Sequence, residues 1–117
     1  MKYNLVNNDA TGDRIVNVTT KSKEDKIIIS ISGKVDQAGA EQVKSAIETL
    51  NLRGIREIAV DMGSVSYIGS AGIGKLLLLY KNLPARDGKI ELINISDSIY
   101  NTLHNMELEI IFSIRKA

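Results

Sequence analysis

The chain has 117 residues, 44% hydrophobic and 25% charged, and 15 Lys and Arg against 14 Asp and Glu leave a net charge of +1. That length supports one domain burying roughly two-thirds of its unfolded surface, and the balanced charge, single Phe and absent Trp exclude a nucleic-acid footprint. With no cysteine and one histidine, disulfides and thiolate metal sites are excluded; with no long apolar run or signal-peptide start, the chain reads as soluble and cytoplasmic, without a membrane partner.

Residues 1–12 are polar and Asn-rich and read as a loose leader with a short pairing segment at Tyr3–Val6; residues 13–117 read as the folded domain. Residues 14–20 carry Ile15, Val16, Val18, Thr19 and Thr20 and predict a strand. A charged turn over 21–25 separates it from a second strand over 26–32, carrying Ile27, Ile28, Ile29 and Ile31, so the two form a hairpin. Asp36 then stands where a helix N-cap belongs, and Ala40, Val43, Ala46, Ile47 and Leu50 give a one-faced helical stripe that Gly54 ends. Residues 57–61 are a short apolar strand, read as central and covered on both faces. A polar loop over 63–68 follows, then a leucine-rich helix over 71–83 with Ile73, Leu76, Leu77, Tyr80 and Leu83 on its inner face, ended by Pro84. Asp87 and Gly88 make a turn before a strand at Lys89–Ile95. Ser96 and Asp97 cap a third helix in which Ile99, Leu103 and Met106 share a face, and the run 108–114 reads as a last strand or extended tail. The order is β-β-α-β-α-β-α-β, an α/β single domain with a mixed sheet: parallel crossovers after an antiparallel hairpin.

The chemistry concentrates between the apolar strand ending at Asp61 and the leucine-rich helix. Ser70 falls where the first N–H groups of a helix have no intrahelical partner and where the helix dipole favours negative charge. Gly69 to Lys75 also spells G-x-x-x-x-G-K, a nucleotide P-loop, but Leu76 stands where that motif needs a magnesium-binding Ser or Thr. A hydrolase nucleophile elbow, G-x-S-x-G, would need Gly at Ile68 and a longer chain, although His104 follows Ser70 in the required order. In the plainest reading the glycines only let a helix pack closely on a sheet.

The run Asp61, Val65, Tyr67, Ile68, Ser70, Gly72, Ile73, Gly74, Leu76 resembles the signature of STAS domains, in particular the bacterial anti-sigma factor antagonists, written V-x-[FY]-[ILM]-D-S-[ST]-G-[IL]-G. Gly69 stands at the signature's Asp and Ala71 at its second hydroxyl residue. The stretch 33–36, Gly-Lys-Val-Asp, resembles the G-x-[ILV]-D of the same family, and Asn94-Ile95-Ser96 resembles its I-S-P, with Asp97 at the proline.

The resemblance implies a STAS-type fold and a phosphoacceptor at Ser70, modified by a partner anti-sigma factor that is a serine-protein kinase. It implies a partner-binding surface shaped by Asp36, Ser64, Ser66, Tyr67, Gly69, Ala71, Gly72, Gly74 and Lys75, a PP2C-type phosphatase as a further partner, and a monomer when free. The unmodified protein would bind the anti-sigma factor and release a sigma factor; phosphorylation would switch binding off. The chain would be a substrate and binder rather than an enzyme, with no cofactor or metal of its own. Two other functions stay open at this point: a STAS interaction or scaffold module that is never phosphorylated, and a nucleotide-binding protein.

Overall fold

The structure, a computed structural model, describes the backbone of residues 3–6 and the whole of residues 15–84 and 87–117. Among the described residues six strands form one sheet in the order β1 (Tyr3–Val6), β2 (Asn17–Lys23), β3 (Lys26–Val35), β4 (Glu57–Ile68), β5 (Lys89–Ile95) and β6 (Ser113–Lys116). The first three strands run antiparallel, and β3 through β6 are mutually parallel. Helices α1 (Gln37–Glu48), α2 (Ser70–Asn82) and α3 (Asp97–Asn105) form the three crossovers. The sheet therefore begins inside the segment read as a leader; residues 1–2 and 7–12 of that leader lie outside the described residues.

Right-handed crossovers taken repeatedly in one direction along a sheet put every helix on the same face. The burial follows that rule. Ile27, Ile29, Ile31 and Val35 of β3, Ile58, Val60 and Met62 of β4, and Ile90, Leu92 and Ile95 of β5 join the helices in one core. The opposite face carries Thr19, Lys21, Ile28, Ser30, Asp61, Glu91 and Ile93, all half-buried. The strand read as covered on both faces is thus covered on one. Its apolar look comes from Ala59, which is small enough for its neighbours in the sheet to bury.

Several details differ from the sequence reading, among them the end of α1, which stops at Glu48 rather than at Gly54. The charged turn is only Glu24 and Asp25: Lys21 to Lys23 continue β2, and Lys23 pairs with Lys26. Backbone pairing is indifferent to side chains that point to water, and Glu24 takes the left-handed conformation (φ 56°) that so tight a turn demands. In α2, Leu79 is fully buried while Tyr80 is 47% exposed, its ring edge against Phe112. Met106 lies beyond the end of α3 and is exposed, so Ile99 and Leu103 anchor that helix, with half-buried Tyr100 packed beside them. The run 108–114 is a 3-10 turn at Leu108–Ile110 leading into β6, with Ile110 82% exposed.

The largest difference is β4. Residues 63–68, read as a loop, continue the strand and pair with β3 as far as Val35 and Ile68, while β5 accompanies β4 only to Asp61. Two register shifts add one residue each to β4. These bulges turn Met62, Val65 and Ile68 inward and leave Gly63, Ser64, Ser66 and Tyr67 exposed. A buried residue at every third position is neither a strand nor a helix period, which is why the segment reads as a loop.

Candidate functional site

The site is built where β3 and β4 end together. Val35 and Ile68 are register partners, and the Gly69 N–H donates to the Val35 carbonyl at 3.0 Å. That bond stops the sheet and sets Asp36 and Gly69 side by side, each about to enter a helix. Asp36 caps α1 through Oδ1, which accepts from the Gly39 N–H at 2.9 Å. The N-cap of α2 is Gly69, which has no side chain to offer, so its first N–H groups receive no side-chain cap. Ser70 is the first residue of α2 and is exposed.

Helix α2 approaches the strands closely at Gly72, where a Cβ would lie 2.6 Å from Val35 Cγ1 and 2.9 Å from Ile68 Cγ1. Glycine at 72 is therefore a packing requirement. Gly74 meets nothing within 4 Å and faces water. Ala71 is half-buried, and Lys75 reaches back to Glu41 of α1 at 3.8 Å.

The upstream part of the surface comes from the bulged end of β4, where Ser64, Ser66 and Tyr67 are exposed. Two residues outside the set expected to shape the site, Asp61 and Lys34, fix this segment. Asp61 Oδ1 accepts from the Gly63 N–H at 3.0 Å and from Asn94 Nδ2 at 3.1 Å, tying the first bulge to the end of β5. Lys34, the register partner of Tyr67, lies with its ammonium 5.8 Å from the centre of the Tyr67 ring. The period-2 alternation of β3, which puts Lys34 outward between Gly33 and Val35, carried that signal. The residues singled out in the sequence are therefore brought to one end of the molecule, at the carboxyl ends of β3 and β4.

Two competing readings fail on geometry. Every residue from Ser70 to Lys75 is helical, so the G-x-x-x-x-G-K stretch has no loop whose N–H groups could wrap a phosphate chain. His104 lies near the end of α3, stacked on Tyr100 and hydrogen-bonded to Glu109. Its helix starts at the Ser70 end of the sheet and runs away from it for nine residues, about 13 Å. No Ser–His pair forms. Among the described residues no cluster of His, Asp and Glu is arranged to hold a metal ion, and no helix is long and apolar enough to cross a membrane.

The family model of the STAS domain matches residues 17–117, from β2 to the end of the chain. The chain belongs to the STAS domain family. Among related STAS proteins, an anti-sigma-B factor antagonist of Listeria monocytogenes is 28% identical over 105 residues, covering 87% of this chain and 92% of that protein. An anti-sigma-B factor antagonist of Staphylococcus aureus is 24% identical over 84 residues, covering 72% and 78%. Among solved structures, an anti-sigma factor antagonist from Mycobacterium paratuberculosis superposes with a TM-score of 0.80 at 17% identity, covering 92% of both chains. The Bacillus protein SpoIIAA in its phosphorylated form gives 0.63 at 21% identity, covering 83% and 89%. At these identities the structures establish the fold.

Proposed function

We propose that this STAS domain is an anti-sigma factor antagonist whose binding to an anti-sigma serine kinase is switched off by phosphorylation of Ser70. The observation that carries this reading is the position of Ser70: an exposed hydroxyl on the first residue of α2, directly after an N-cap with no side chain. Two findings support it: the relatives named as anti-sigma-B factor antagonists, and the existence of SpoIIAA in both unphosphorylated and phosphorylated forms.

The kinase supplies ATP, magnesium and the base. The Ser70 Oγ–P bond forms as the bond to the leaving ADP breaks, and the hydroxyl proton passes to the kinase's base. The chain contributes an accessible hydroxyl and a helix start that tolerates the product, whose charge is about −1.5 to −2. Folding therefore survives modification and the surface changes. A charge of that size between Tyr67 and Gly74 must be desolvated when a partner docks, and each ~1.4 kcal/mol of that cost weakens binding tenfold. The chain acts as substrate and binder and performs no catalysis.

The experiment is intact-mass analysis and phosphopeptide mapping of the protein taken from its own cells, beside a Ser70→Ala control. A single species heavier by about 80 Da, one phosphoryl group, that maps to Ser70 and vanishes in the control is the expected result. A chain that stays unmodified under every growth condition removes the switch and leaves a constitutive STAS binding module.

A further inference from the structure

Gly69 is where this chain departs from the acidic signature, and its backbone does not explain the glycine: φ −102° and ψ −177° suit any residue. The space does. A Cβ on Gly69 would lie 3.0 Å from the Tyr67 hydroxyl and 3.3 Å from Cε2 of the same ring. A side chain at 69 would therefore be in tight contact with the ring, which would have to give by a few tenths of an ångström. The ring is held from the neighbouring strand by Lys34, whose ammonium stands 5.8 Å from the ring centroid, within the range in which a cation and an aromatic face attract.

We propose that Lys34 and Tyr67 are the positioning pair of the Ser70 site: the phenol covers the turn where the signature has an acid, and the ammonium on that ring pairs with a phosphate on Ser70. This inference rests on Ser70 as the phosphoacceptor. Where the signature sets a carboxylate beside the serine, here a neutral phenol backed by a cation stands beside it, so the incoming negative charge meets attraction. The other charged groups at this end are already engaged. Asp36 of the α1 cap accepts from Gly39, Asp61 of β4 accepts from Gly63 and Asn94, Lys75 of α2 is offset by Glu41 of α1, and Asp97 of α3 pairs with Lys116 of β6.

The test uses protein with phosphoserine placed at position 70 during synthesis, so that no kinase is needed, and follows the phosphate by phosphorus NMR against pH. Phosphoserine ordinarily loses its second proton at a pH of about 6. A nearby cation favours the dianion, so the wild-type value falls below that of Lys34→Gln by about half a unit. Tyr67→Ala, which keeps the lysine and removes its platform, raises the value in the same direction, and Lys21→Gln on the open sheet face leaves it unchanged. Equal values in wild type, Lys34→Gln and Tyr67→Ala overturn the pairing.

A second reading uses the unmodified protein, in which the ring current of Tyr67 displaces the Gly69 α-proton resonances and Tyr67→Ala returns them. Undisplaced resonances in the wild type overturn the ring's place over Gly69. Because the phosphate is installed without a kinase, failure here counts against the Lys34–Tyr67 pair alone. An unmodified Ser70 in cells counts against the proposed function.

Discussion

Gly72 and Gly74 stand two positions apart on α2 in opposite surroundings, and that contrast is measurable. Alanine at Gly72 would drive its methyl into Val35 and Ile68, and overpacking of this kind costs about 1–3 kcal/mol. Alanine at Gly74 meets nothing within 4 Å and removes the conformational freedom of an exposed helical glycine, a gain of about 0.5–1 kcal/mol. Urea unfolding of the two variants should therefore give shifts of opposite sign. Two shifts of the same sign would mean that α2 sits differently on β3 and β4. At this scale the sequence was legible wherever one residue type does one local job. Asp36 and Ser96 cap their helices as expected, the latter with Oγ accepting from the Ile99 N–H at 3.3 Å. The cover that Tyr67 makes over Gly69 was not legible, because it depends on a bulge turning the ring towards a residue two places along the chain.

Elements held by spacing were less legible than those held by caps. Strand β4 hides its second half because bulges replace alternation, and Asp61 secures the first of them through two hydrogen bonds. Asp61→Ala should cost about 1–2 kcal/mol for those bonds and raise amide exchange over residues 62–66, leaving α1 and the β2–β3 hairpin protected. Uniform loss of protection would mean that the carboxylate supports the whole sheet. The end of the chain tells a similar story. Leu108 and Phe112 are buried, whereas Ile110 between them is exposed, so the apolar run is a turn with two anchors. That turn is tied to α3 by the hydrogen bond between the His104 and Glu109 side chains, which with a backbone hydrogen bond holds the Glu109 carboxyl below its ordinary 4.5. A lowered carboxylate stabilises the fold above its unfolded value and loses that contribution as pH falls through the folded one. NMR titration should accordingly find Glu109 protonating below pH 4.5, and His104→Gln should raise it towards the ordinary range. An unchanged Glu109 titration in that variant would show that the histidine is not its partner.

For the whole molecule, the alternation of strands and helices made the crossovers and the mixed sheet legible in the sequence. The bareness of one sheet face was not, because half-buried Ile28 and Ile93 look like core residues in a one-dimensional pattern. The same architecture decides against a P-loop. Calorimetry of the isolated chain with ATP or GTP and magnesium should show no binding that Lys75→Ala abolishes. A Lys75-dependent signal would restore the P-loop reading against the helical course of residues 70–75. The strands follow one another across the sheet in the order in which they occur in the chain, from β1 to β6. No strand has to be inserted between two that have already paired. A chain leaving the ribosome can therefore lay down its sheet from one edge as it is made, each new strand docking on a finished neighbour. The Ser70 turn is framed by β3, α1, β4 and α2, all of which precede β5 in the chain. The surface around Ser70 is thus assembled in the middle of synthesis, and the segments made last close the far edge of the sheet.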